Sequence, residues 1–302
     1  MWFVFSLITA LAWGGADLFY KKGTNPNDKF SHLKIVMMVG FVMGLHAMIY
    51  MSLKGITFDP IDIIKYLPVS SMYILSMTIG YIGLRYIELS IASPIQNSSG
   101  AVTAILLFIF FTHDLGIVEI LGIVIITIGV IGIAILEKKA ETEALKASAI
   151  KIDKKYQIGF LAITFPLLYC LIDGLGTFAD GIYLDEMKLI SEDAALLAYE
   201  FTFLICALVA FIFLKFIKKE TIHIFKERDK GFAAILETGG QFFYVFAMSG
   251  NAIIAAPLIA SYSIFSVILS RIFLKEKLSQ KHYAVICVVI LGIVLLGIAD
   301  EL

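Results

Sequence analysis

Long apolar runs that recur along the whole chain constrain its fold more than any other feature. A helix needs about 20 mostly apolar residues to cross the hydrocarbon core of a bilayer, and ten such runs are separated by charged or turn-rich breaks. The predicted spans are 2–20, 34–53, 66–84, 92–111, 117–136, 157–177, 194–214, 231–250, 252–272 and 281–299. Only 16% of the residues are charged, against about 25% in soluble domains. We therefore predict an all-α integral membrane protein.

Composition and motifs argue against several other classes. The formal net charge of −1 disfavours a nucleic-acid partner, and the sequence has no GxxxxGK[ST] loop for nucleotide phosphates. No Lys or Arg precedes Lys21, so the basic start of a cleavable signal peptide is missing and the first helix is expected to remain as a span. The three cysteines lie in apolar runs, where small core residues are expected.

The basic residues lie almost entirely on one side of the predicted membrane. The loops after spans one, three, five, seven and nine hold 21 of the 24 Lys and Arg residues, and only Lys54, Lys65 and Lys188 fall on the other side. Cytoplasmic loops carry an excess of Lys and Arg. We therefore predict a multi-pass protein of the cell (plasma) membrane, with both termini outside.

The chain contains an internal repeat. A shift of 163 residues places 92–129 on 255–292 without a gap, and a shift of about 156 places Asp17 on Asp173. Prolines and glycines that coincide at one shift are better evidence than matched Ile or Leu, which are common here. The aligned pairs include Pro94 with Pro257, Ser98 with Ser261 and Gly129 with Gly292.

Each copy of the repeat has five spans, an odd number, so the second copy must be inverted in the membrane. The charges agree, because the loop after span four has no Lys or Arg whereas its counterpart after span nine has three. The predicted domains are a first five-helix unit (1–136), a charged cytosolic linker (137–156) and a second, inverted unit (157–302). Inverted units of this kind form secondary transporters.

Two segments resemble a known family. GLRYIELSIASPIQNSSGAVTAILLFIFF (83–111) is similar to the third-to-fourth helix signature of the EamA type of the drug/metabolite transporter superfamily. SYSIFSVILSRIFLKEKLSQKHYAVICVVILGIVLLG (261–297) is similar to its ninth-to-tenth signature, with Glu276 at the family's short-loop glutamate. The first unit departs from the pattern, with THDL (112–115) where a glutamate is usual. The resemblance implies ten helices in two five-helix units and transport of a metabolite such as an amino acid, sugar or amine.

Ionisable residues inside the spans mark a pathway or a coupling site by default, because charge is costly in hydrocarbon. Glu237 lies near the middle of its span, too far from either surface to reach water. Helix capping is the alternative role for Asp17 and Asp173, and packing is the alternative for His46. The candidate substrate-binding or coupling residues are Glu237, Asp17, Asp173, Glu200, Gln241, Gln96, Asn97, Trp13, Tyr262 and His46.

The polar runs of spans four and nine either line a cavity or serve helix packing, and both interpretations stay open. Pro94 and Pro257 are expected where helices begin, the position that proline tolerates best. Aromatic rings attract ammonium groups, so some of the aromatic residues are candidates to cage a cation. These are Trp13, Tyr81, Phe242, Phe243, Tyr244 and Tyr262.

The balance of charge within the spans disfavours an anionic substrate, because only Arg85 and Arg271, at span ends, lie near the carboxylates. We predict a secondary-active transporter that moves a small organic metabolite by alternating access. An amine, a quaternary ammonium compound or a zwitterionic amino acid is favoured, and a neutral sugar or a divalent cation is the alternative. Glu237, with Asp17 as second candidate, is the hypothesised carrier of a coupled proton.

A membrane-embedded aspartyl hydrolase is the alternative from another class. Such enzymes resemble one another in a GxGD sequence, whereas here Gly176 and Asp180 are separated by three residues. We predict no enzymatic activity, no cofactor and no resident metal. The predicted partners are a small-molecule substrate, protons if transport is coupled, and the lipid bilayer; a monomer and a dimer are both compatible with the sequence.

Overall fold

The computed structural model describes residues 1–25, 27–87, 89–147, 159–222, 227–276 and 278–301, and within them every regular element is helical. The helices are α1 (Trp2–Gly23), α2 (Ser31–Lys54), α3 (Ile61–Gly83), α4 (Leu89–Asn97), α5 (Ser99–Phe110), α6 (Ile117–Ala147), α7 (Gly159–Gly181), α8 (Glu192–Ile212), α9 (Arg228–Ala260), α10 (Tyr262–Leu269) and α11 (Gln280–Glu301). Short π-helical turns at Ile182–Glu186, Phe213–Ile217 and Ser270–Leu274 extend α7, α8 and α10.

Helix α9 contains more than one predicted span. Its backbone leaves the helical conformation at Asn251, with φ −173° and ψ 85°. Before this bend α9 runs antiparallel to α1, and after it Tyr262 packs edge-on against Trp13 and Ser266 reaches Asp17. The chain therefore runs along α1 and returns along it. The contacts before the bend are Lys230 with Gly23, Gly240 with Trp13 and Gly250 with Trp2.

The number of membrane crossings follows from this reversal. In the described part of the chain, nine helical segments are long and apolar enough to cross a membrane. One of them, Arg228–Leu274, has 47 residues, about twice what a single crossing needs. Because this segment reverses at Asn251, it counts as two spans, which brings the number of membrane crossings to the predicted ten.

The two units share a break in the middle of a span. The fourth span is divided at Ser98, between α4 and α5, and the ninth at Ser261, between α9 and α10. These positions are 163 residues apart, as the repeat predicts. The expectation that Pro94 and Pro257 begin helices is wrong, because both lie inside a helix, four residues before the break. Proline removes a backbone N–H from the helix, which is consistent with a weakened helix at this point.

Close helix contacts fix how α1 aligns with α7. Gly14 on α1 and Gly174 on α7 each let a neighbouring helix approach closely. The residues that Gly14 contacts, 262 and 265, correspond under the shift of 163 to the residues that Gly174 contacts, 99 and 102. This makes Gly14 equivalent to Gly174, a shift of 160 rather than 156, so that Trp13 and not Asp17 corresponds to Asp173. The shift of 156 matched two carboxylates by type rather than by packing. Gly14 lies against Tyr262 and Phe265, and Gly174 lies against Ser99 and Val102.

The helices pack mainly in pairs that bring the two units together. Contacts join α1 to α9, α2 to α8 and α3 to α7, each a first-unit helix with a second-unit one, and α6 packs on α11. Small residues allow such approaches in membranes: Gly40 on α2 lies directly against the Phe203 carbonyl on α8. Helix α6 continues to Ala147, beyond the predicted span end at 136, and the rest of the predicted linker (148–156) lies outside the described residues.

Candidate functional site

A cavity lies among helices of both units. Trp13 and Asp17 on α1 face it, as do side chains of α3, α7 and α9, and Asn97 and Tyr262 face it from the two broken spans. Eight of the ten predicted site residues line this one cavity. They are Glu237, Asp17, Asp173, Gln241, Gln96, Asn97, Trp13 and Tyr262.

The other two predicted residues, Glu200 and His46, are not among the residues that line the cavity. His46 Nδ1 lies 2.7 Å from Glu200 Oε1, between α2 and α8. The neighbouring Tyr199 does line the cavity, and successive residues on a helix point about 100° apart. Glu200 is therefore turned away from the cavity toward α2, where its side chain is completely buried.

Asp17 joins three helices at one end of the cavity. Its Oδ2 accepts a hydrogen bond of 2.6 Å from the Ser93 hydroxyl on α4 and one of 2.7 Å from the Ser266 hydroxyl on α10. A helix-capping role for Asp17 is wrong, because α1 continues to Gly23. Two hydroxyl donors compensate part of the cost of keeping a carboxylate inside the protein.

Asp173 is held in the same manner from the second unit. The Ser76 hydroxyl on α3 donates to its Oδ1 over 3.1 Å, and the Ser99 hydroxyl on α5 donates to its Oδ2 over 2.8 Å. Both serines belong to the first unit, so these hydrogen bonds cross between the units. Asp173 does not cap α7, which continues to Gly181.

Glu237 is the most buried carboxylate of the cavity wall, with 7% of its surface exposed. Asp17 and Asp173 are the acidic neighbours whose charge acts on it. Its backbone carbonyl accepts a hydrogen bond of 3.2 Å from Trp13 Nε1, which fixes α1 against α9 at this level. Gln241 follows one turn later on the same face of α9 and is 3% exposed.

Aromatic side chains form most of the remaining wall. Trp13 stacks on Tyr244 with ring centroids 5.1 Å apart and packs edge-on against Tyr262 at 5.8 Å. Together with Trp13, seven tyrosines face the cavity: Tyr20, Tyr73, Tyr81, Tyr169, Tyr199, Tyr244 and Tyr262.

Sequence reasoning missed four of these tyrosines and included two phenylalanines that lie elsewhere. Phe242 packs against His46 and Tyr50 instead, and Phe243 is also outside the lining. A usable signal existed on α3, where Tyr66, Tyr73 and Tyr81 recur at spacings of seven and eight residues, a helical period that places them on one face.

The cavity wall contains no basic side chain. Among the described residues that line it there is no Lys, Arg or His. Across the described chain, no group of three or more His, Cys, Asp or Glu side chains is arranged so that it could hold a metal ion.

Polar contacts join separate segments of the chain at both ends of the cavity. At the basic side, which holds most Lys and Arg residues, Lys21 Nζ donates to the Leu84 carbonyl over 3.0 Å and to the Ile87 carbonyl over 2.6 Å. A cation is well placed there, because carbonyls at a helix C-terminus carry partial negative charge.

At the opposite side the Tyr73 and Tyr244 hydroxyl oxygens lie 2.5 Å apart. The Ala252 N–H, which begins the returning half of α9, donates to Asp185 Oδ2 over 2.7 Å. An anion is the favourable partner there, because free N–H groups at a helix N-terminus carry partial positive charge.

Asp180 lies behind this opposite end. The predicted sixth span ended at residue 177, but α7 extends to Gly181, and Asp180 is completely buried. The Tyr66 hydroxyl donates a short hydrogen bond to its Oδ1, and its Oδ2 has no hydrogen-bond partner. Gly174 and Gly176, which follow Asp173, predict an early helix end, and a helix that ends there leaves Asp180 outside the predicted span.

Ten helical crossings, two inverted five-helix units and a polar cavity between the units define a polytopic membrane protein with the architecture of secondary transporters. The chain belongs to the EamA-like transporter family, whose pattern matches residues 1–135 and, a second time, residues 161–298. The resemblance drawn from the two signatures is thereby confirmed.

A solved structure titled only "Crystal structure of protein" has a similar fold. Its TM-score is 0.64 and its sequence is 10% identical, over 99% of this chain and 96% of that chain. At this identity the similarity shows the fold alone. No curated protein matches the chain.

Proposed function

We propose that this protein is a secondary-active transporter of a small organic cation, an amine or a quaternary ammonium compound, and that it works by alternating access. The observation that carries the proposal is the composition of the cavity wall, in which Asp17, Asp173 and Glu237 face one space without any basic side chain. Three carboxylates in a poorly solvated space repel one another, and a cation bound among them relieves that repulsion.

The aromatic wall supports an organic rather than an inorganic cation. The faces of Trp13 and of the tyrosines around it attract ammonium groups by about 0.5–2 kcal/mol each and also contact the apolar substituents of an amine. A zwitterionic amino acid fits less well, because its carboxylate would meet no cationic partner.

The inverted units support alternating access. Hydrogen bonds of Asp17 and Asp173 join elements of both units around the cavity, so a ligand among them can favour one arrangement of the units over the other. We propose that the basic side faces the cytoplasm of a plasma-membrane protein. We infer binding and movement, not chemical conversion, of the substrate.

A thermal-shift screen of purified protein tests the substrate class, because a ligand that binds the folded state raises its apparent stability by mass action. Quaternary ammonium compounds and primary amines are compared with amino acids and neutral sugars. We expect concentration-dependent stabilisation by the cations alone. Stabilisation by sugars or amino acids with none by cations would contradict the proposal.

Two matched variants separate the cavity from the rest of the protein. Glu237→Gln should strongly reduce the cation-dependent shift, whereas Glu200→Gln, the same exchange at a buried glutamate outside the cavity, should retain it. Equal loss in both variants would assign the effect to general destabilisation and not to the cavity.

A further inference from the structure

Asp180 has no role in the cavity described above and is completely enclosed near the opposite side. Its exposed fraction is 0%, and it is not among the residues that line the cavity. Its Oδ1 accepts a hydrogen bond from the Tyr66 hydroxyl, and the Tyr73 and Tyr244 hydroxyls lie close to the carboxyl group. The other oxygen, Oδ2, has no partner.

Among the residues that the structure describes, no group around Asp180 provides a positive charge. Titratable side chains face it from three helices, and all are tyrosines: Tyr66 and Tyr73 on α3, Tyr199 on α8 and Tyr244 on α9. Leu107 on α5 packs beside it, against Gly181. An ionised carboxylate with one bare oxygen is very unfavourable in such surroundings. A proton on the carboxyl group removes the charge.

Asp180 also lies at a contact between the two units. Tyr66 and Tyr73 belong to the first unit, whereas Asp180 and Tyr244 belong to the second. The Tyr73 hydroxyl donates to Thr177 Oγ1 over 3.1 Å and meets the Tyr244 hydroxyl, so these side chains separate the cavity from Asp180. If the units part at this side, the Tyr66–Asp180 and Tyr73–Tyr244 contacts break together and water reaches the carboxyl group.

We propose that Asp180 is a proton-binding site of the transport cycle, distinct from the cation cavity, which holds a proton while the opposite side is closed and releases it when that side opens. On opening, the carboxyl O–H bond breaks, the proton passes to water, and the hydrated carboxylate remains. On closing, the carboxylate takes up a proton before Tyr66 covers it again. The inference rests on the proposed function only in requiring that the two units move.

Infrared spectroscopy of the protein without any substrate tests the bound proton. A protonated carboxyl group gives a carbonyl stretching band that an ionised carboxylate lacks. All carboxyl groups that take up a proton contribute to this band in the difference between spectra at low and high pH, and we expect one component of it to be lost in Asp180→Asn. Asp185→Asn, which changes a half-buried acid at the same side, should retain it.

A second variant keeps the test informative if Asp180→Asn does not fold. Tyr66→Phe removes the hydroxyl that donates to the Asp180 carboxyl group and should therefore shift the frequency of the band. An unchanged spectrum in Tyr66→Phe, or an Asp180→Asn spectrum identical to that of the wild type, would overturn the proposal.

Opening is measured by labelling a cysteine with a membrane-impermeant maleimide, again without substrate. In a background without Cys170, Cys206 and Cys287, Tyr183→Cys reports on the opposite side, since Tyr183 packs edge-on against Tyr66. Met187→Cys, at a position that is 60% exposed, corrects for the pH dependence of the thiol itself.

We expect the labelling rate at position 183, relative to that at 187, to rise several-fold with pH when Asp180 is present and to stay constant in Asp180→Asn. A ratio independent of pH with Asp180 present, or an equal rise in the variant, would overturn the proposal. No substrate enters either measurement, so an error in the proposed substrate class would leave both results readable.

Discussion

Replacement of Glu237 by glutamine should have opposite effects on cation binding and on the stability of the empty protein. The exchange keeps the shape of a side chain that is 7% exposed and removes its charge. Two unit charges 4 Å apart attract by about 4 kcal/mol at an effective dielectric constant of 20. Because Asp17 and Asp173 remain in the cavity, part of the attraction persists, and we expect a loss of about 3 kcal/mol, roughly 150-fold in Kd.

The empty protein should respond in the other direction. At alkaline pH, where Glu237 and the two neighbouring carboxylates are ionised, removing the charge of Glu237 reduces their repulsion and should raise the Tm of the ligand-free protein. A residue with only a structural role would lower both stability and binding when changed.

Titration calorimetry with a quaternary ammonium ligand and thermal unfolding in detergent measure the two quantities on one preparation. Glu200→Gln provides the control and should keep the wild-type Kd. A Kd of Glu237→Gln within twofold of the wild type, or a variant that is less stable when empty, would refute the reasoning.

Three further predictions follow from named contacts. Trp13→Leu should weaken binding of a quaternary ammonium ion by about 0.5–2 kcal/mol, because a ring face is lost, whereas Trp13→Phe should weaken it less; calorimetry measures both. Gly40→Val should lower the Tm and the folded yield, because its side chain would meet the Phe203 carbonyl, and a normal Tm would contradict the close approach of α2 and α8. Burial alone would raise the pKa of the Asp28 carboxyl group, but the hydrogen bond that Lys34 donates to this group holds its pKa below the usual 3.8. The wild type should therefore have a higher Tm than Asp28→Asn above pH 3.8, and thermal unfolding should show this difference shrinking as the pH falls below that value.

The fold could be predicted largely from the sequence, because apolar length and period are local properties. The break at residue 251 between spans eight and nine is an example: a polar Asn between two apolar runs marks the bend that the structure places there. The shift of 163 likewise relates Ser98 to Ser261, although the sequence predicted continuous spans and the breaks at these two residues appear only in the structure. The alignment of α1 with α7 needed the packing of Gly14 and Gly174, which no single-sequence pattern contains.

The candidate site could be predicted in its charged residues and less well in its walls. A carboxylate in hydrocarbon is unusual enough to stand out, and Glu237, Asp17 and Asp173 do line one cavity. Tyrosine is common in this chain, so its position relative to the cavity depends on which helix face is covered, and this is a tertiary property. The same reason explains Glu200, whose face of α8 is covered by α2 and not by the cavity.

Counterflow in proteoliposomes tests the central claim most directly, namely that two inverted units carry an organic cation through an acidic, aromatic cavity. Vesicles preloaded with an unlabelled quaternary ammonium compound are diluted into a trace of the labelled compound. We predict transient accumulation of label well above that in protein-free vesicles, retained in Glu200→Gln and lost in Glu237→Gln. Accumulation no greater than in protein-free vesicles, or equal accumulation in Glu237→Gln and the wild type, would contradict it.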